Sequence, residues 1–176
     1  GGKHLRINAR YGGESFECVF FGHCEAELGI NPGEYIDIAF SPQGNEYRQR
    51  SNVQLQITAV RRHDPRPLCR QLLDRPSQIP LYEATPYCPD RGAFVSVWRK
   101  LQLAGGAVAA DMESLLRQCP KGIEPERFCI CLAALSELGL LKRLKPDSLF
   151  GARIVVSTVK VNLEDSPLIK RLKARL

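Results

Sequence analysis

From residue 5 to residue 11 apolar and polar side chains alternate, with Leu5, Ile7, Ala9 and Tyr11 on one side, Arg6, Asn8 and Arg10 on the other, and His4 extending the polar row. A period of two predicts a half-buried strand. Gly12-Gly13 supplies a hairpin turn, because paired glycines accept the positive φ that such turns demand. Phe16, Cys18 and Phe20 then alternate with Ser15, Glu17, Val19 and Phe21, which predicts a second strand antiparallel to the first. Residues 25–28 fit a single helical turn ended by Gly29, and Asn31-Pro32-Gly33 turns the chain into a third strand at 35–40 with Ile36, Ile38 and Phe40 facing inward. A polar loop at 44–52 precedes a fourth strand, in which Val53, Leu55, Ile57 and Ala59 alternate with Gln54, Gln56 and Thr58 up to Arg61-Arg62. The region reads as antiparallel throughout. Short alternating strands with one small helix predict an OB-fold-like small antiparallel β-barrel, which normally closes with about five strands. The first strand is missing from this stretch, so the chain is expected to be a cut fragment that begins in the loop after it and leaves an open edge or one filled by further residues.

The period then changes. Pro65, Pro67, Pro76, Pro80, Pro86 and Pro89 predict a proline-rich linker over 63–89, with one short helix at 68–73. Asp90 offers an N-cap for a helix in which Phe94, Val97, Trp98 and Leu101 recur at helical spacing before Gly105-Gly106. Residues 111–119 predict a second helix, Pro120-Lys121-Gly122 a turn, and Glu124-Pro125 the start of a third that ends at Gly139. Leu140 to Leu144, a turn at Lys145-Pro146-Asp147 and alternation over 153–161 predict a β-hairpin, and Ser166-Pro167 opens a last helix carrying Lys170, Arg171, Lys173 and Arg175. Helix, helix and hairpin predict a winged-helix-like α/β module over 90–176. The fold class is therefore α+β, in the order barrel (1–62), linker (63–89), winged-helix-like module (90–176). The third helix carries Phe128, Ile130, Cys131, Leu132, Leu135 and Leu138 around most of its circumference and opens with Glu124 and Glu126. It is predicted to be a core helix, since it lacks the polar row that reads base edges and its glutamates repel phosphate.

Composition adjusts this picture in three places. At 44% hydrophobic over 176 residues the chain can bury one sizeable core or two small ones, and it has no apolar run near the ~18 residues of a membrane span, so a soluble, cytoplasmic protein without a membrane partner is expected. Its seven cysteines include no closely spaced pair of the kind zinc sites use, Cys129 and Cys131 supply too few ligands, and reduced thiols acting as small hydrophobes are expected. The net charge of +6 suggests an anionic partner, yet residues 1–62 hold seven basic and seven acidic residues, so the whole excess lies downstream.

The polar side of the predicted sheet collects His4, Arg6, Asn8, Phe21, Gln54 and Gln56, and the 44–52 loop adds Tyr47, Arg48 and Arg50. Cations beside exposed rings suit an unpaired nucleic-acid strand: Lys and Arg meet phosphates, and rings stack on base faces at ~1 to 3 kcal/mol per base without needing a particular sequence.

The succession Gly2-Lys3-His4-Leu5-Arg6, Phe20-Phe21-Gly22, Glu27-Leu28-Gly29, Pro32-Gly33, Ile36-Asp37-Ile38-Ala39-Phe40, Asn45-Glu46-Tyr47 and Val53-Gln54-Leu55 resembles the OB domain of RecJ exonucleases. The resemblance implies a cytosolic enzyme that degrades single-stranded DNA from 5′ to 3′ in repair and recombination, with Mn²⁺ or Mg²⁺ held by an upstream DHH-type catalytic domain. No Asp-His-His run occurs here, and His63-Asp64 reads as a polar linker, so no catalytic residue, metal ligand or cofactor is expected in this chain. The implied DNA contacts are Lys3, His4, Arg6, Phe21, Tyr47, Arg48 and Arg50, to which the outer face adds Gln54. Implied partners are single-stranded DNA, the upstream catalytic domains and, through the carboxy-terminal module, repair proteins; Leu163-Glu164-Asp165-Ser166 resembles the closing segment of such a module. The alternative is a non-catalytic adaptor whose barrel and winged helix both bind proteins, which the charge balance of residues 1–62 keeps open.

Overall fold

A computed structural model describes residues 4–11, 14–47, 50–145, 148–156 and 160–176, with the backbone alone described at 45–47, 50–52, 145 and 148–150. The chain divides into two units, Gly1–Asp64 and Pro65–Leu176.

In the first unit, β1 (His4–Tyr11) and β2 (Glu14–Phe21) pair antiparallel from His4↔Phe21 to Tyr11↔Glu14, the register a two-residue hairpin dictates. The helical turn α1 (Glu25–Leu28) ends at Gly29, whose φ of 57° lies in the left-handed region. β3 (Ile36–Tyr47) and β4 (Arg50–Arg62) then pair antiparallel along their whole length, and the sheet order is β1-β2-β4-β3.

Three expectations change here. The region is not antiparallel throughout, because β4 runs parallel to β2 at Cys18↔Leu55 and Val19↔Gln56; α1 and β3 give the chain enough length to cross over and return in the same direction. Residues 44–47 and 50–52, expected in a loop, are strand: β3 continues to Tyr47 and β4 starts at Arg50, with Gly44↔Val53 and Asn45↔Asn52 in register. The inward row is also shorter than strict alternation implies. The register shifts between Ala39 and Phe40, so that Ile38 faces Val60 and Phe40 faces Ile57, leaving Thr58 as the extra residue on β4; its hydroxyl donates to the Ala39 carbonyl (3.1 Å). Beyond this bulge Val60 packs on the core in place of Ala59, which is exposed along with Phe40 on the edge strand and Val53. The core consists of Cys18, Phe20, Leu55 and Ile57, flanked by Leu5, Ile7, Ala9, Leu28, Ile38 and Val60.

The second unit begins earlier than the proline pattern implies. Residues 63–89 do not form a linker: α2 (Arg66–Asp74), α3 (Leu81–Ala84) and two short 3-10 turns bury Cys69, Leu72, Leu73, Ile79 and Ala84 in the unit's core. Proline is tolerated because it stands in first turns and between elements, where no intrahelical N–H is needed. α4 (Arg91–Leu103) is capped by Asp90, which accepts the Ala93 N–H (2.7 Å), and α5 (Met112–Arg117) by Asp111, which accepts the Ser114 N–H (2.9 Å). α6 (Pro125–Glu137) buries Glu126 and every residue from Phe128 to Leu135, so it is the central helix of the unit, packed by α2, α4 and α7 (Pro167–Lys173).

β5 (Leu141–Lys145) and β6 (Ser148–Ile154) form a hairpin. The returning strand lies at 148–154 rather than 153–161, since Leu141 pairs with Ile154, while Val156 is almost fully exposed. Residues 106–109 add a third backbone through Val108 N to Ala152 O, Gly151 N to Ala109 O and Ile154 N to Gly106 O, all at 2.8 to 2.9 Å. α7 is anchored at its start by the Glu137 carboxylate, which accepts from the Ser166 hydroxyl (2.5 Å) and the Leu168 N–H (3.0 Å). Its cations are consumed locally: Arg171 donates to the Pro76 and Ser77 carbonyls, Lys173 pairs with Glu164, and Lys170 with Asp165.

All seven cysteines are free thiols. Burial pushes the Cys119 thiol up to about 12, Cys131 is raised by burial as well, and a hydrogen bond with Cys69 together with burial raises Cys129 well above the ordinary range. Such thiols pack and do not react. No helix among the described residues is long and apolar enough to cross a membrane.

Candidate nucleic-acid interface

The outward face of the first sheet is set by the β1–β2 register. His4 pairs with Phe21, Arg6 with Val19, Asn8 with Glu17 and Arg10 with Ser15, and directly opposed residues share a face. Arg6, Phe21 and His4 are therefore neighbours on one side of the hairpin. The His4 ring stands edge-on to Phe21 with centroids 4.9 Å apart and planes at 74°, and its Nδ1 accepts the Gly22 N–H (3.3 Å). That contact orients Phe21, whose surface is 49% exposed and offers a ring for stacking.

Beneath this row lies Val19, only 4% exposed although it points outward, because Arg6 on one side and Gln56 on the other are its strand partners. The Arg6 side chain is itself 79% exposed and approaches the Glu17 carboxylate at 3.9 Å, the long limit of an ion pair. Such a pair contributes at most about 1 kcal/mol and leaves the guanidinium free to turn toward a phosphate. Glu17 also accepts from Gln54 Nε2 (3.0 Å), so the predicted Gln54 lies on this face with its amide nitrogen engaged.

The structure thus brings together His4, Arg6, Phe21 and Gln54. Lys3 and Arg48 lie outside the described residues, as do the side chains of Tyr47 and Arg50, which are cross-strand partners at the tip of the β3–β4 hairpin. Two features were not singled out from the sequence. Arg10 continues the cationic row from Arg6, which the alternation already carried, and Glu17 sits at the centre of the face, which follows from the hairpin register. The remaining cations at the unit's end are structural: Arg61 Nε donates to Asp37 (2.9 Å), and Arg62 binds the Gly29 carbonyl (2.5 Å) and Glu34 (3.2 Å). Burial pushes the Asp37 carboxyl up, but hydrogen bonds with His63, 2.7 Å away, and Arg61 outweigh it and hold the group below the usual carboxylate range.

Among the described residues no group of three or more His, Cys, Asp and Glu is placed to hold a metal ion. No curated protein and no solved structure matches the chain. The family model of the RecJ OB domain matches residues 1–59, the sheet that bears the His4, Arg6 and Phe21 face up to the last residues of β4. Residues 1–59 are thus similar to the OB domain of RecJ.

Proposed function

We propose that this chain holds single-stranded DNA for a cytoplasmic RecJ-type exonuclease of DNA repair and recombination, which degrades the strand from 5′ to 3′ at a DHH-type domain outside these residues. The observation that carries this reading is the co-facial placement of Arg6, His4 and Phe21, an exposed cation beside a ring fixed by a second ring. Arg6 and Arg10 would meet phosphates, Phe21 would stack on a base, and Lys3, Tyr47, Arg48 and Arg50 would extend the path at the two hairpin ends. None of these contacts reads a base edge, so binding would be indifferent to sequence and would weaken with salt. Mn²⁺ or Mg²⁺ would act at the DHH-type domain. The order of α4, the 106–109 segment hydrogen-bonded to β6, α5, α6 and the β5–β6 hairpin supports a winged-helix-like second unit, with α6 as its core rather than a reader of DNA.

Glu17 at the centre of the face favours a second reading, an adaptor that binds a protein there. Fluorescence anisotropy with labelled single-stranded and duplex oligonucleotides over a range of salt separates the two. The DNA-holding reading predicts single-strand binding at low salt that falls as salt rises. Binding of neither oligonucleotide at low ionic strength contradicts it and leaves the adaptor.

A further inference from the structure

We propose that the outward face of the β5–β6 hairpin is a second surface for the phosphate backbone of single-stranded DNA, held by Lys142 and Arg153. The two residues are direct cross-strand partners, so the sheet forces two cations side by side on one face. Like charges in that position destabilise a hairpin, and both side chains are exposed without an acidic partner among the described residues. The contrast with neighbouring cations is sharp. Arg143, one residue on, turns to the opposite face and donates to Ser136 Oγ (3.2 Å), while Lys170, Arg171 and Lys173 of α7 are bound to carboxylates or carbonyls. The segment 138–162 holds five basic residues and one acidic residue, so the local sequence is strongly cationic.

The same face is low and rigid. Ala107 bridges to Arg153, and Gly151, with a φ of 71°, lies against Ala110 and the exposed Leu144, so several small residues lie beside the cations on a hairpin to which the 106–109 segment is hydrogen-bonded. A polyanion backbone can approach such a surface closely. An acidic peptide would also need pockets for its side chains to gain affinity, and small residues offer none, which favours phosphates as the occupant.

The test uses the full chain, a labelled oligothymidylate of about 20 nucleotides, and the double variant Lys142→Gln/Arg153→Gln. Both positions are exposed, and an unchanged thermal melt confirms the fold. Affinity is expected to fall about tenfold, with the slope of log K against log salt smaller by about 1.4, the loss of two single-strand phosphate contacts. In an Arg6→Ala/Phe21→Ala background the residual binding should disappear with the same two changes. Unchanged affinity and slope overturn the proposal, as does absence of binding by the wild type, or a poly-glutamate peptide that binds as tightly and loses as much. Should the hairpin variant lose binding while Arg6→Ala/Phe21→Ala does not, this surface stands and the placement on the first sheet fails.

Discussion

The two units bury apolar side chains on different scales. In residues 1–64 the enclosed inner core is Cys18, Phe20, Leu55 and Ile57, on a sheet whose edge strands leave Phe40 and Tyr11 exposed. In residues 65–176 the core runs from Cys69 to Leu172, and α6 at its centre is covered on nearly every side. The difference lies in where each unit places its polar groups. The first keeps a full strand face of His4, Arg6, Asn8 and Arg10 in solvent and so has only one face left to bury. The second ties polar groups into its packing at α7, with Glu137 capping the helix and Arg171 bound to carbonyls near α2, and leaves Lys142 and Arg153 exposed on the β5–β6 hairpin. A thin core under a chemically open face is what a binding platform needs, whereas a helix buried all round is a scaffold.

This comparison can be broken by substitution. Phe128→Ala removes a fully buried ring from α6 and should cost the second unit about 3 to 5 kcal/mol in urea unfolding. Ile57→Ala in the first unit should cost about 2 to 4 kcal/mol, at the lower end because the sparse core around it can collapse. Hydrogen exchange resolves the two, and equal destabilisation spread over both units would contradict their separation. Glu17→Gln sharpens the functional side. It keeps an acceptor for Gln54, removes the carboxylate that approaches Arg6, and should raise single-strand affinity about threefold at low salt; lower affinity would place Glu17 away from the strand.

The smallest effect concerns pH. Asp37 has its carboxyl lowered in the folded chain, so its contribution is complete above the ordinary carboxylate value and is lost as pH falls through the lower, folded one. With the Asp37 side chain 37% exposed the stabilisation is well under about 1 kcal/mol. Asp37→Asn should lower the first unit's stability by about that amount at neutral pH and leave it unchanged in acid, so that the acid limb of the stability curve flattens. An acid limb identical to wild type would remove Asp37 from the account.

Much of the first sheet was legible because its signal is local. Alternation marked β1 and β2, and Gly12-Gly13 fixed their register, since the residue numbers of every pair add to 25. That sum places His4 against Phe21 and Glu17 in the middle of the face. The parallel alliance of β2 with β4 was not legible, because no local pattern records which distant strand becomes a neighbour. The bulge at Thr58 hid in a regular alternation and moved Val60, not Ala59, onto the core. Prolines misled at 63–89, where first-turn positions make them compatible with packed helix, and Leu72 and Leu73 were the apolar pair that pointed to a core. In the second unit the caps Asp90, Asp111 and Ser166 and the apolar circumference of α6 were all readable, since each depends on side chains within one turn.

The most direct test of the central claim is the single-strand affinity of Arg6→Ala/Phe21→Ala compared with wild type, measured by anisotropy at low salt on a chain whose melting is unchanged. Losing one stacked ring and one phosphate contact should weaken binding at least about tenfold. An affinity equal to wild type would mean that the strand does not lie across this face.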